Sequence, residues 1–271
     1  MIDIKQITQE TDLYNLHTHT QFCDGHAPME EFVTEAIEMG FTHLGFTPHS
    51  PISVDSPVNM PREKVQDYFD EVERLRQAYG NRIHLYTSME VDYVAAGDGP
   101  ASDYFQHLPL DYSIGSVHFI PAIDNPDVMV DIDGKFQDFK VRMGKYFAGD
   151  IEYVVKTFFS QMMAMVNEGG FDIVGHMDKI GYNASQYREG IDEEPWFDKL
   201  VIDLFENIMD HQLIIEINTK AWLQRNRFYP NLKYFGMLKR FNAPVVVNSD
   251  AHYPTLLNNG RLEALKLLKV L

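Results

Sequence analysis

Short apolar runs alternate with longer periodic stretches along this chain, and the two patterns predict different elements. Residues 13–19, 42–49, 83–93 and 111–118 are brief and rich in apolar residues, as are 171–177, 213–218 and 243–250. Each is the length of a buried strand. Between them lie helical patterns. Pro28 opens a periodic run to Met39, with Glu30 and Glu31 where a helix start favours acids. Residues 61–79 set Val65, Tyr68, Phe69, Val72 and Leu75 at three- and four-residue spacing, the stripe of an amphipathic helix. Residues 150–168, 196–210, 232–241 and 259–270 have the same character. The region 120–149 is predicted to be a long irregular excursion before the next helix. Strands separated by helices predict an α/β fold with a parallel sheet, closed or nearly closed.

Length sets the scale of that fold. A chain of 271 residues suits one α/β domain or two small ones, and no linker, repeat or low-complexity tract divides it. Hydrophobic residues make up 45%, an ordinary globular share. No run approaches the ~20 apolar residues of a membrane span, so no membrane partner is expected. The first residues, "MIDIKQITQE", have no secretion-type apolar core, and a cytoplasmic location is expected.

The formal net charge of −17 changes the picture of possible partners. That field repels nucleic acid, and no nucleic-acid partner is expected. It would also repel a phosphorylated small molecule unless a local cationic centre reverses it, and metal ions can be that centre. Cys23 is the only cysteine, so a sulfur-rich cage is excluded and any metal must be held by histidines and carboxylates.

Polar residues stand in register at the ends of the predicted strands. "NLHTH" brings His17 and His19 to the same side, because side chains alternate along a strand. "FTPHS", "TSMEVD", "GSVH", "GHMD" and "NSDAH" each run from apolar residues into His49, Glu90, His118, His176, Asp250 or His252. In parallel α/β folds, ligands converge at this face. Taken singly, His49, His118 and His176 read as ordinary satisfied histidines. Their joint placement among eleven histidines reads as a metal site. Glu90 lies in an apolar run, where an unpaired carboxylate is costly and a metal partner removes the objection.

These motifs, in this order and over nearly the whole chain, resemble the polymerase and histidinol phosphatase (PHP) superfamily. The contexts "GFTPHS", "GSVHF" and "GHMDKI" are most similar to its bacterial monofunctional histidinol-phosphatases. The resemblance implies a single domain over 1–271 with a distorted, TIM-barrel-like (β/α)7 fold. It implies two or three divalent transition-metal ions, and hydrolysis of L-histidinol phosphate to L-histidinol in histidine biosynthesis. Carried over by motif, His17, His19, Glu90 and Asp250 hold the first metal. Glu90, His118 and His176 hold the second, and Asp24, His49 and His252 the third. The ligand chemistry admits zinc, iron or manganese. The reaction expected is in-line attack on phosphorus by metal-bound hydroxide held by Glu90, His118, His176 and Asp250. His26 is a candidate to replace Asp24, to bind phosphate or to protonate the leaving group.

A cationic partner for phosphate is expected from the loops after "GHMD" and "EINT". Arg188 and Lys179 lie in the first; Lys220, Arg225 and Arg227 lie in the second. Guanidinium matches phosphate with a planar fork, whereas lysine acts as a point charge. Arg188 and Arg227 are favoured because such loops are expected at the rim of the site, and Lys220 is carried with them. "NTKAWLQR" departs from the family's usual "NTSG" continuation. Trp222 there either walls the pocket or packs in the core. Asp92 and Asp178 either accept hydrogen bonds from ligand histidines or cap local turns. Cys23 is assigned as a small buried side chain. The competing readings are a PHP phosphoesterase acting on nucleotides or oligonucleotides, and a binding protein without catalysis. Nothing in the sequence sets an oligomeric state.

Overall fold

Ten short strands carry the fold, and the computed structural model describes them within residues 2–270. They are β1 (Tyr14–Asn15), β2 (His43–Phe46), β3 (His84–Thr87), β4 (Glu90–Asp92) and β5 (Ile114–Ser116). After these come β6 (Phe119–Pro121), β7 (Met129–Asp131), β8 (Ile173–Val174), β9 (Ile214–Asn218) and β10 (Val245–Asn248). β1, β2 and β3 form one parallel sheet, and β10, β9, β8, β5 and β4 form another. Two single parallel bridges join them. Thr18 pairs with Ala251 beyond β1 and β10, and His49 pairs with Glu90 beyond β2. With β3 and β4 as two pieces of one strand, the order runs round a distorted seven-stranded barrel, matching the expected fold.

The strands are shorter than their apolar runs because side chains take over the ladder at their ends. Leu16 N–H donates to Asn248 Oδ1 at 2.9 Å, and Thr18 N–H to Thr47 Oγ1 at 3.0 Å. The single strand expected over 83–93 breaks at Ser88-Met89. There the Tyr68 hydroxyl reaches in and donates to Ser88 O at 2.7 Å. These breaks release the residues after β1, β2 and β5 from a flat pleat, so that they can turn inward.

The helices follow the periodic stretches. α1 (Ile4–Glu10) is an addition to the expected set; Asp3 caps it by accepting from Gln6 N–H at 2.9 Å. α2 (Met29–Glu38) and α3 (Val65–Tyr79) fall where expected, with a 3-10 turn at 62–64. α4 (Asp103–Gln106) is a single turn. The region 120–149 is more ordered than its sequence suggests. β6 and β7 make an antiparallel hairpin there, and α5 (Phe136–Tyr146) follows. α6 (Ile151–Glu168) is capped by Asp150, which accepts from Tyr153 N–H at 2.9 Å. α7 (Ile180–Tyr187), α8 (Pro195–Asp210), α9 (Trp222–Arg225), α10 (Phe235–Arg240) and α11 (Arg261–Val270) complete the outer layer. Among the described residues no helix is long and apolar enough to cross a membrane.

Burial gives the barrel a dry end and a polar end. Val154, Val155, Phe158, Phe159 and Met162 of α6 pack with α8 and the strands beneath. Each such side chain contributes roughly 1.5–3 kcal/mol by leaving water. Inside the barrel, Tyr14, Leu16, Tyr112, Ile114, Ile173 and Val246 meet Ile4 and Ile7 of α1, which plugs the N-terminal end. The polar strand ends therefore gather at the opposite mouth.

Gly45 allows β2 to pass close to that interior. A Cβ there would stand 1.8 Å from Tyr112 Oη, whose hydroxyl donates to Leu16 O at 2.7 Å. Gly45→Ala is expected to destabilise the fold by about 1–3 kcal/mol through overpacking. Urea unfolding checks this, and an unchanged midpoint would contradict the packing described.

Candidate metal centre

His17 and His19 leave β1 with one residue between them, and both rings are buried on the barrel axis side. Their Nε2 atoms are 3.1 Å apart. Across the mouth, His118 after β5 and His176 after β8 bring their Nε2 atoms to 3.3 Å. Glu90, at the start of β4 and 1% exposed, lies between the pairs. Its Oε2 is 3.3 Å from His17 Nε2, 3.4 Å from His19 Nε2 and 3.1 Å from His49 Nδ1. Its Oε1 is 2.8 Å from His176 Nε2 and 3.7 Å from His118 Nε2, and accepts from Ser116 Oγ at 2.7 Å. Asp250 Oδ1 lies 3.2 Å from His19 Nε2. A third cluster forms where Asp24 meets His252 at 3.3 Å and His49 at 3.8 Å. All nine sequence-derived ligand candidates therefore meet in one volume.

The turns that deliver them are strained. Asp250 has φ 50° and His176 φ 21°, outside the regions non-glycine residues favour. Strain of this kind costs of order 1–3 kcal/mol and is held by surrounding bonds. Asn218 Nδ2 donates to Asp250 Oδ2 at 3.1 Å, and His176 N–H donates to Glu216 Oε2 at 3.0 Å.

Further carboxylates stand behind the rings. Asp92 Oδ1 faces His118 Nδ1 at 2.6 Å, the ligand-orienting alternative raised for it. Asp178 does not face a histidine; its Oδ2 accepts from Asn231 N–H at 2.8 Å, and burial lifts its pKa to about 6. Glu216, with its Oε1 2.6 Å from His17 Nδ1, escaped the sequence reading. The signal was present: a lone acid in the apolar run "LIIEIN", the same anomaly that singled out Glu90.

Charge compensation is what lets these acids remain buried. Burial would raise the Glu90 pKa, but His17, His49 and His118 hold it well below the usual carboxylate range. Burial likewise opposes ionisation of Asp250, and Lys220 and His17 outweigh it. For His17, burial is overcome by Glu216, Glu90 and Asp250, which lift its pKa to about 10. Against burial, Asp92 and Glu90 lift His118 to about 9. His49 and His252 go the other way; burial takes them down to about 3 and about 4.

At the rim the cations sort differently from expectation. Lys220 Nζ lies 3.2 Å from both Asp250 Oδ1 and His252 Nε2. Lys179 is nearly buried and pairs with Asp133 at 2.5 Å. Arg227 pairs with Asp192 at 2.8 Å, and Arg188 with Glu152 and Glu194 at 3.1 and 2.8 Å. Each of the two favoured arginines thus carries an ion pair to at least one acid. His26 is exposed, its ring stacked on Tyr253 at 4.4 Å. Trp222 stacks on Phe228 at 4.5 Å and packs against the core. Cys23 is only half-buried, its Sγ 3.3 Å from His19 Nδ1.

The donor set fits divalent transition-metal ions. Histidine nitrogens and carboxylate oxygens form groups of close ligand atoms at His17/His19/Asp250, at Glu90/His118/His176 and at His19/Asp24/His49/His252. Asp24 Oδ1 is buried without a hydrogen-bond partner, and the paired Nε2 atoms face one another at 3.1 and 3.3 Å. A cation between them satisfies both.

The family model for the PHP domain matches residues 15–220. The chain belongs to the PHP domain family. This PHP domain is 25% identical over 260 residues to the histidinol-phosphatase of Bacillus subtilis, covering 87% of this chain and 92% of that one. A Listeria monocytogenes structure, provisionally named histidinol phosphatase, superposes with TM-score 0.81 at 19% identity, over 92% of this chain and 99% of that one. The Lactococcus lactis histidinol phosphate phosphatase, solved with zinc, L-histidinol and phosphate, gives TM-score 0.68 at 19% identity, over 96% and 93%. At that identity the two structures speak for the fold.

The electrostatics of this PHP domain make a prediction about metal loading. Against burial, neighbouring acids lift the pKa values of His17 and His118 to about 10 and about 9, and His19 too is raised well above its ordinary value, so all three rings favour the protonated form at pH 8 before metal binds. Ligation requires neutral imidazole, so zinc loading at pH 8 is expected to expel protons, at least about two per chain. Titration calorimetry in two buffers of different ionisation enthalpy measures that release. Loading without proton release would contradict the charge distribution described.

Proposed function

We propose that this protein hydrolyses L-histidinol phosphate to L-histidinol and phosphate, as a metal-dependent phosphomonoesterase of histidine biosynthesis working in the cytoplasm. The observation that carries the reading is the placement of Glu90, one oxygen toward His17 and His19 and the other toward His118 and His176. We assign His17, His19, Glu90 and Asp250 to one metal position, Glu90, His118 and His176 to a second, and Asp24, His49 and His252 to a third. Bound there, zinc, iron or manganese supplies positive charge against phosphoryl oxygens and makes water a better nucleophile at neutral pH.

The chain's own residues do the rest. Lys220, more than a third exposed and held by Asp250 and His252, extends that positive charge to a phosphoryl oxygen at the mouth. Lys179 adds a second ammonium, kept in place by Asp133. Asp92 holds the His118 ring by its Nδ1, so its other nitrogen faces the cluster. Water attacks phosphorus, the bond to the histidinol oxygen breaks, and the departing alkoxide takes a proton. The names of the relatives, and the L-histidinol and phosphate bound by the Lactococcus lactis protein, support this substrate. The net charge of −17 supports a small phosphate ester over a polynucleotide.

Two measurements test the reading. Catalytic efficiency on L-histidinol phosphate is expected to exceed that on a simple aryl phosphate by at least ~10-fold, about 1.4 kcal/mol of transition-state binding. Faster cleavage of short oligonucleotides at matched metal and salt would overturn it in favour of a nucleic-acid substrate. Glu90→Gln keeps the size of the side chain and removes its charge. Turnover is expected to fall at least ~100-fold while the variant still folds, since an amide would not supply the negative charge that cations on both sides of it would need. Wild-type turnover at limiting metal would remove Glu90 from its assigned role.

A further inference from the structure

Glu216 is fully buried at the centre of β9, and its carboxylate makes four contacts that no other side chain of the centre duplicates. Oε1 meets His17 Nδ1 at 2.6 Å and accepts from Asn248 Nδ2 at 3.0 Å. Oε2 accepts from the His176 backbone N–H and from Asn218 Nδ2, each at 3.0 Å. We infer that Glu216 is a positioning residue that sets the two histidine pairs at a fixed spacing, one pair through the His17 ring and the other through the His176 backbone. The inference rests on the metal reading of those pairs.

The hydrogen-bond inventory explains why a carboxylate is needed. All four partners are donors, and only an ionised acid offers acceptors on both oxygens. Accepting from His17 Nδ1–H leaves Nε2 as the ring nitrogen that faces Glu90 and His19 and would bind a metal. Accepting from His176 N–H holds a residue whose φ of 21° would otherwise relax. The contacts spread outward. Asn248, turned by its bond to Glu216, offers its Oδ1 to Leu16 N–H at 2.9 Å and so places the strand that carries His17. Asn218, turned the same way, offers its Oδ1 to Lys220 N–H at 3.0 Å and its Nδ2 to Asp250. Asp92, by contrast, reaches only His118 among the rings.

Glutamine has the same shape but presents an NH2 group to one pair of donors whichever way it turns. Glu216→Gln must therefore release either the His17 side or the His176 side. Aspartate keeps the charge but is one methylene short of spanning both. The test is zinc affinity of the full chain, read by competition with a chromophoric chelator and independent of any substrate, with circular dichroism to establish folding. Both variants are expected to fold and to lose at least ~10-fold in affinity for one or more ions, the range typical of outer-shell partners. If only one folds, that variant decides. Wild-type affinity in a folded variant overturns the inference. Failure of both to fold in the presence of zinc also overturns it, making Glu216 a folding residue. A wild-type chain that takes up no zinc would instead bring down the metal reading itself, which separates the two failures.

Discussion

The carboxylate of Glu90 is the interaction on which the rest of this centre depends. An isolated carboxylate buried this deeply would lose its charge, because leaving water costs an ion far more than a protein can absorb without compensation. Glu90 stays ionised because His17, His49 and His118 surround it. Each of its oxygens also faces a different set of imidazoles. For that to happen, residues from strands on opposite sides of the barrel must turn inward at one level. The structure achieves this by cutting its ladders short. Side-chain bonds such as Asn248 to Leu16 and Thr47 to Thr18 replace backbone pairs there, and Asp250 and His176 accept unfavourable backbone angles.

The same crowding of acids fixes what the site can attract. A chain at −17 presents a repulsive field to any phosphate, and cations bound at the mouth would reverse that field locally. Cations held by Glu90, Asp250 and Asp24 would do most of this, with Lys220 and Lys179 completing it at the rim. A single phosphate on a small molecule fits such a focus. A polyanion would carry its remaining phosphates across acidic surface. The apolar plug of Ile4 and Ile7 at the other end of the barrel keeps the centre open on one side only.

Much of the centre was legible in the sequence because strand alternation and strand ends are written in periodicity. His17 and His19 share a face by spacing alone, and His118, His176 and Asp250 each end an apolar run. Glu216 shows the limit of that reading. It sits inside a strand, so nothing in its position marks it as different from a chance acid until its partners on β1, β8 and β10 are known. The ion pairs of the arginines were hidden for a related reason. Arg188 and Arg227 lie in the expected loops, but Arg188 pairs with Glu152, far away in sequence, and with Glu194 six residues on, and Arg227 pairs with the distant Asp192. Lys220 is the opposite case, a departure from the usual motif that nonetheless reaches the cluster. Among the elements, α1, α4, α7, α9 and the β6–β7 hairpin were missed because each is too short to show a clear period, and α5 fell in the region read as irregular.

Anomalous diffraction from crystals of the zinc-loaded protein tests the central claim most directly. If Glu90 joins two positions, difference maps collected at the zinc edge will show two peaks flanking its carboxylate, about 3.5–4 Å apart as in other two-metal sites. A further peak is expected between Asp24, His49 and His252. A single peak on one side of Glu90, or peaks that leave its carboxylate without a metal neighbour, would contradict the account.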